Sequence, residues 1–181
     1  MKKRSFKFYK NVSLSSILRV NHAGEYAAVR IYKAQVAVFK RCNNKEYSDL
    51  LQHMLEQEEV HCSYFERQLA DYNMPFTIFL GVWNFLASSL GYCSAKMGKK
   101  YAMACTIAVE EVIDHHYSSQ LNELDDCYSD IKDSIVKFRL EELEHRDTGI
   151  EYHGKEAIGY VAFSSIVSFG CKFAIFLSKR I

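Results

Sequence analysis

Two short patterns in this chain have the residue types and spacing for chemistry. They are Glu58-x-x-His61 in "EQEEVHC" and Glu142-x-x-His145 in "EELEHRD". Three positions apart on a helix, a carboxylate and an imidazole stand side by side on one face. A lone Glu-x-x-His is more often a surface pair than a ligand pair, so its surroundings decide. Glu58 shares its face with Leu51, Met54, Leu55, Cys62 and Phe65, and Glu142 shares its face with Ile135 and Phe138. The neighbouring acids sit differently: Glu59 falls with Gln52, Glu56, Ser63 and Glu66, and Glu141 with Ser134, Lys137 and Glu144. Two further acids interrupt apolar stripes. Glu25 lies among Leu18, Val29, Tyr32 and Val36, and Glu110 among Met103, Ile107 and Ile113. In "AVEEV" the alternative, Glu111, has Ala104, Ile107 and Ala108 but also His115 and Ser118. The spacing favours Glu110 without deciding it.

These positions repeat. Glu58 follows Glu25 by 33 positions and Glu142 follows Glu110 by 32, while His145 follows His61 by 84. The chain therefore reads as two similar helical hairpins, each supplying a lone glutamate and then a Glu-x-x-His. Together they would bring four carboxylates and two imidazoles to apolar faces. Buried carboxylates are costly and repel one another, so something positive must compensate. Arg30, Lys33, Arg67 and Lys137 lie mostly off the stripes. Two irons or two manganeses would accept this mixed oxygen and nitrogen shell. One Glu from each of two helices and Glu-x-x-His from each of the other two is the ligand pattern of ferritin-like dimetal bundles. Zinc rarely takes four carboxylates.

The elements that must position these residues follow from apolar spacing. Helices are expected over about 13–41, 44–71 with Asn44 as N-cap, 99–124 and 129–152. Short polar turns join the first pair and the second pair, and a long crossover joins the pairs. A single proline, Pro75, in 181 residues suits long uninterrupted helices. The expected fold is all-α: one ferritin-like four-helix bundle over 1–181, with a basic N-terminal tip at 1–12, an apolar crossover at 72–98 and a C-terminal apolar helix at 155–178. The net charge of +1 gives no field to recruit nucleic acid. Six scattered cysteines, none in a CxxC pair, read as reduced thiols. The basic tip lacks the apolar segment of a secretory signal.

From Tyr72 to Ala95 there is no charged residue in a chain that is 25% charged. The stretch from Ala157 to Leu177 is broken only by Lys172. Pro75, the polar Asn84, Ser88 and Ser89, and two glycines in the first argue for an interfacial segment dipping into one leaflet rather than a span. Phe79 and Trp83 are its expected membrane contacts.

"LRVNHAGEYAAVRIYKAQ", "AMACTIAVEEVIDHHYSSQL" and "FRLEELEHRDTG" resemble the helix signatures of the demethoxyubiquinone hydroxylases, di-iron enzymes of ubiquinone biosynthesis. The resemblance runs from about Leu14 to the C-terminus, where "FLSKRI" also fits. It implies that Glu25, Glu58, His61, Glu110, Glu142 and His145 are the iron ligands, with Glu58 and Glu142 bridging both irons. It supports Glu110 over Glu111. It places His116 and Tyr117, from "DHHY", beside the metal and the quinol, while Asp114 departs from the small residue usual there. The implied reaction is O2-dependent hydroxylation of the ring of a polyprenylated demethoxyubiquinol. Electrons would come from NADH, although no GxGxxG after a strand marks a dinucleotide fold. The expected partners are that lipid-tailed quinol and a membrane surface, with a homo-oligomer or a lipid-delivering helper protein as further candidates. The expected location is peripheral, on the cytoplasmic face of a bacterial inner membrane or the matrix side of a mitochondrial one. The competing readings are an iron- or peroxide-handling protein like ferritin or rubrerythrin, and a non-enzymatic membrane-associated scaffold.

Overall fold

The structure, a computed structural model, describes residues 12–180. Most of the basic tip therefore lies outside the described residues. Six helices follow in order: α1 (Val12–Arg41), α2 (Lys45–Asp71), α3 (Leu80–Met97), α4 (Lys99–Glu123), α5 (Ser129–Glu151) and α6 (Tyr160–Ser178). Two single-turn 3₁₀ segments, Asp126–Tyr128 and Gly154–Glu156, sit in the connections. No strand occurs among the described residues. The four expected helices match α1, α2, α4 and α5 to within a residue or two, and the crossover contains α3.

The limits have local causes. The side-chain oxygen of Asn44 accepts from the backbone N–H of Tyr47 and so caps α2. Pro75 falls in the loop between α2 and α3, where it interrupts no helix. Gly98 ends α3 and starts α4 with φ of +116°, a backbone conformation that side chains disfavour.

α1 and α2 form one hairpin and α4 and α5 the other, whereas α2 and α5 approach each other closely at few points. The space between the hairpins is filled by side chains in three layers. Val36, Phe39, Leu51, Met54 and Met103 close one end, and Leu18, Phe65, Leu69, Tyr117, Ile135 and Phe138 close the other. Glu58 and His61 lie on α2 between Leu55 and Phe65, all of them buried. The polar layer is thus sandwiched between two apolar plugs.

α3 and α6 pack outside this bundle, against α1 and α4. Arg19 ties α6 down: its Nε donates to the carbonyl of Ser178 at 3.0 Å and its Nη2 to that of Lys179 at 3.3 Å. A guanidinium there satisfies carbonyls that a helix end leaves open. Trp83 Nε1 donates to Ser178 Oγ at 3.1 Å, and the indole is buried. This corrects the expectation for Trp83, which locks α3 to α6 from inside rather than meeting lipid. Phe79, at the N-cap of α3, is half-buried and contacts Trp83. The outward apolar residues are others: Ile78, Val82 and Phe85 before and on α3, and Val161, Ile166, Phe169 and Phe173 on α6. Residues 84–88 of α3 could not have been sorted by charge, because the whole segment lacks it.

At Gly91 α3 lies directly against the backbone of α1; a Cβ there would clash with the carbonyl oxygen of Ile31. Backbone cannot yield as a flexible side chain does. Gly91→Ala should therefore lower stability by about 1–3 kcal/mol, read as a lower urea midpoint, while Gly81→Ala, in the same helix with nothing within 4 Å, should leave the midpoint unchanged or raise it slightly.

Candidate metal centre

The six residues expected to meet do meet. Glu25 comes from α1, Glu58 and His61 from α2, Glu110 from α4, and Glu142 and His145 from α5; all are buried. They form two overlapping groups whose ligand atoms lie within 4.8 Å of one another: Glu25, Glu58, His61 and Glu142, and Glu58, Glu110, Glu142 and His145. Glu58 and Glu142 belong to both. Glu111 is exposed, which settles the ambiguity in "AVEEV".

The arrangement is short of hydrogen bonds. Glu25 Oε2, both oxygens of Glu58, Glu110 Oε2, Glu142 Oε2 and His145 Nδ1 are buried without a partner. His145 Nδ1 stands 3.1 Å from Glu58 Oε1 and 3.3 Å from Glu142 Oε2. Buried polar atoms almost always find partners, and each orphan costs roughly 1–3 kcal/mol. Here the orphans face one another, and all are lone-pair donors. A pair of cations fits that donor set; hydrogen-bonded water alone would leave the charge uncompensated.

Without cations the protons must redistribute. Burial, then the carboxylates of Glu142 and Glu25, pushes Glu58 well above the usual range. Burial and Glu142 push Glu110 up as well, against a lowering by Tyr32. Burial alone would lower His61, but Glu142 and Glu25 overcome it and raise the imidazole to about 11. Burial likewise opposes ionisation of Glu142, yet His145 and His61 bring it down to about 2.

The surrounding residues repeat the twofold logic crosswise. Tyr117, seven positions after Glu110, donates its hydroxyl to Glu25 Oε1. Tyr32, seven positions after Glu25, donates to Glu110 Oε1 at 2.8 Å. The sequence reading placed Tyr32 only in the core, although applying the repeat to Tyr117 would have found it. Two more residues escaped it because they lie off the stripes. Glu141 Oε2 is 2.6 Å from His61 Nε2, and Gln57 Oε1 is 2.9 Å from His145 Nε2. His116 does not touch the cluster. Its Nε2 accepts from Gln120, which pairs through its amide with Asn21. Asp114 is held by Arg139 at 2.6 Å, which accounts for an acid at that position.

The family profile described as "Ubiquinone biosynthesis protein COQ7" matches residues 12–178. The chain belongs to this family. It is 40% identical over 173 residues to the human NADPH-dependent 3-demethoxyubiquinone 3-hydroxylase, mitochondrial, covering 93% of this chain and 78% of the relative. It is 44% identical over 171 residues to the protein of that name from Dictyostelium discoideum, covering 93% and 77%. It is 41% identical over 168 residues to the 3-demethoxyubiquinol 3-hydroxylase of Rhodospirillum rubrum, covering 93% and 78%. Two of these names specify NADPH, where the sequence reading expected NADH.

The protonation pattern gives the metal-free protein a pH signature. Above about 4.5 the unfolded chain releases the protons that folded Glu58 and Glu110 retain, and above about 6.5 it releases the one that folded His61 keeps to about 11. The folded state then binds more protons, so stability falls as pH rises. Glu142 is ionised in both states over that range and adds no slope. Burial lowers His22 and His116 to about 4, and up to about pH 6.5 these two act in the opposite sense. Above that the cluster's slope stands alone: the chelated protein should melt at steadily lower temperature from about pH 7 to 9, and a flat or rising Tm there would show that the cluster does not carry these protons.

Proposed function

We propose that this chain is a monooxygenase that hydroxylates the ring of a polyprenyl-tailed demethoxyubiquinol. It would hold two iron ions on Glu25, Glu58, His61, Glu110, Glu142 and His145, with Glu58 and Glu142 shared by both. The observation that carries the reading is the buried set of five carboxylate oxygens and one imidazole nitrogen that face one another unpartnered. Family membership and the hydroxylase names of its relatives support the reaction class. When bound, an iron pair supplies the reduction of O2 that places one oxygen atom on the ring carbon. The ultimate electron source is a reduced nicotinamide, in keeping with the relatives' names, reaching a chain that shows no dinucleotide fold among its described residues.

The chain's own residues do the rest. Tyr117 stays a protonated phenol, because burial and the nearby carboxylates of Glu25 and Glu142 raise it well above the usual range. From α4 it holds Glu25 in place on α1. Burial, with Lys179 and His115 adding, pushes His116 down to about 4, so at neutral pH it is a neutral imidazole. Gln120 donates to its Nε2, which leaves Nδ1 as the N–H side. A neutral imidazole so oriented suits a quinol hydroxyl that must be positioned without gaining charge.

The tail has a place as well. A cavity of about 300 Å³ lies between α1, α3, α4 and α6, lined almost wholly by apolar side chains such as Val20, Ala27, Leu90, Val109, Ile113 and Val167. Gly24 and Val109 on its wall adjoin Glu25 and Glu110 in the chain. Its outer wall is built by α3 and α6, whose far faces expose Phe85 and Phe169 about 70% each. Among the described residues only α6 is long and apolar enough to cross a membrane, and 11% of that window is buried. The ties from Arg19 and Trp83 hold α6 along the bundle, which supports an interfacial position in one leaflet. Exposed Lys172 can run its alkyl stem along that surface and raise its ammonium to the headgroups. The mitochondrial names of several relatives favour the inner face of a mitochondrial or bacterial inner membrane.

Protein loaded anaerobically with Fe(II) should hold two irons per chain and convert a demethoxyquinol, given reductant and O2, to the hydroxylated ring. Glu58→Ala and Glu142→Ala should each lose most of the iron; full iron content in both would refute the assignment. His116→Ala and Tyr117→Phe should keep iron while quinol turnover falls about 10²–10⁴-fold, and undiminished turnover would remove them from the reaction. A Phe85→Ser, Phe169→Ser double variant should bind liposomes more weakly and show a higher KM for a long-tailed quinol than for a tail-less one. Equal liposome binding would assign that face to something other than lipid.

A further inference from the structure

Among the residues that make up the cluster or hydrogen-bond to it, the two hairpins match in type at every paired position named here but one. Glu25 corresponds to Glu110, Tyr32 to Tyr117, Glu58 to Glu142 and His61 to His145. In each hairpin the residue just before the shared glutamate crosses the bundle and contacts the outer nitrogen of the other hairpin's histidine. In α5 that residue is Glu141, on His61; in α2 it is Gln57, on His145. One imidazole is backed by a carboxylate and the other by an uncharged amide.

This contact is more than a surface ion pair. Glu141 also has Lys137 near its other oxygen, but at 3.6 Å, against 2.6 Å to His61. The Glu141 side chain is 22% exposed and the His61 ring not at all. With Nε2 committed to Glu141, His61 turns Nδ1 inward, 3.1 Å from Glu142 Oε1 and 3.6 Å from Glu25 Oε2. With Nε2 on Gln57, His145 turns Nδ1 toward Glu58 and Glu142. Both histidines therefore present the same nitrogen to the cluster. The partner on the outer nitrogen sets the ring's orientation and its basicity as a ligand, and a carboxylate raises that basicity more than a neutral oxygen does.

We infer that Glu141 and Gln57 are positioning residues that make the two metal positions unequal, the one at His61 binding its ion more tightly than the one at His145. The inference rests on the metal reading above and deepens it. Nothing in the four carboxylates and two imidazoles alone would distinguish the positions, because their types match pair by pair.

The test is anaerobic titration of the metal-free full chain with Fe(II), followed by calorimetry and by Mössbauer spectra at one equivalent of ⁵⁷Fe. Wild type should bind in two separate steps, with one ferrous doublet at one equivalent. Glu141→Gln keeps the shape and removes the charge. It should weaken the tighter step about 10- to 100-fold, merge the two steps and give two doublets at one equivalent. Gln57→Glu should close the gap from the other side by tightening the weaker step. A purely structural role for Glu141 would lower Tm and leave the gap intact. Should Glu141→Gln fail to fold, Gln57→Glu decides alone. Two equal steps or one combined step in wild type, or a gap unmoved by either substitution, overturns the inference while leaving the metal reading standing. No Fe(II) binding by wild type would instead overturn the metal reading itself.

Discussion

Four carboxylates buried within reach of one another are the constraint on which the rest of this molecule depends. Bringing ionised carboxylates out of water costs several kcal/mol apiece, and mutual repulsion adds to that. The metal-free chain meets the cost by keeping protons on Glu58 and Glu110 and charging His61. A dication pair would meet it better, because every orphaned oxygen would then have something to face. The same constraint accounts for the architecture. A site with ligands from four helices needs α1, α2, α4 and α5 spaced widely enough to admit them and rigid enough to hold them. The apolar plugs above and below supply that rigidity and keep water from relieving the charge.

The repeat then solves a positioning problem economically. Each hairpin provides half of the buried acids and histidines and also the groups that orient the other half: Tyr32 reaches Glu110, Tyr117 reaches Glu25, Glu141 reaches His61 and Gln57 reaches His145. Neither hairpin could pre-organise its own ligands by these contacts. Docking of the hairpins and assembly of the site are therefore coupled.

Much of this was legible in the chain, for identifiable reasons. Acids in apolar stripes are rare enough to stand out, and a repeat of 84–85 positions makes a coincidence implausible. The helix limits were marked by Asn44, the polar turns and the ends of the apolar stripes. What escaped has a common physical cause. Gln57 and Glu141 sit one residue off the buried stripe, where helical periodicity assigns them to solvent, and only the closeness of the facing helix lets them reach inward. Tyr32 was hidden for the opposite reason, since a tyrosine on a buried stripe reads as filler until its hydroxyl is given a partner. In the crossover no charge distinguished the faces of α3, and aromaticity alone could not tell the buried Trp83 from the exposed Phe85.

Trp83 also shows how the outer helices serve the centre. Its indole ties α3 to the end of α6, and Arg19 ties that same end to α1, the helix that carries Glu25. The lining of the apolar cavity is thereby tied to α1, the helix that carries Glu25. Gly91 tightens the same joint by letting α3 lie against the backbone of α1. On the proposed reading, a tail that fills the cavity would push on α1, α4 and their glutamates together. Because α3 and α6 also carry the exposed apolar face, lipid on the outside and tail on the inside would contact opposite sides of one two-helix wall. Seating on a membrane and admission of substrate would then be mechanically joined through residues that touch neither iron nor ring.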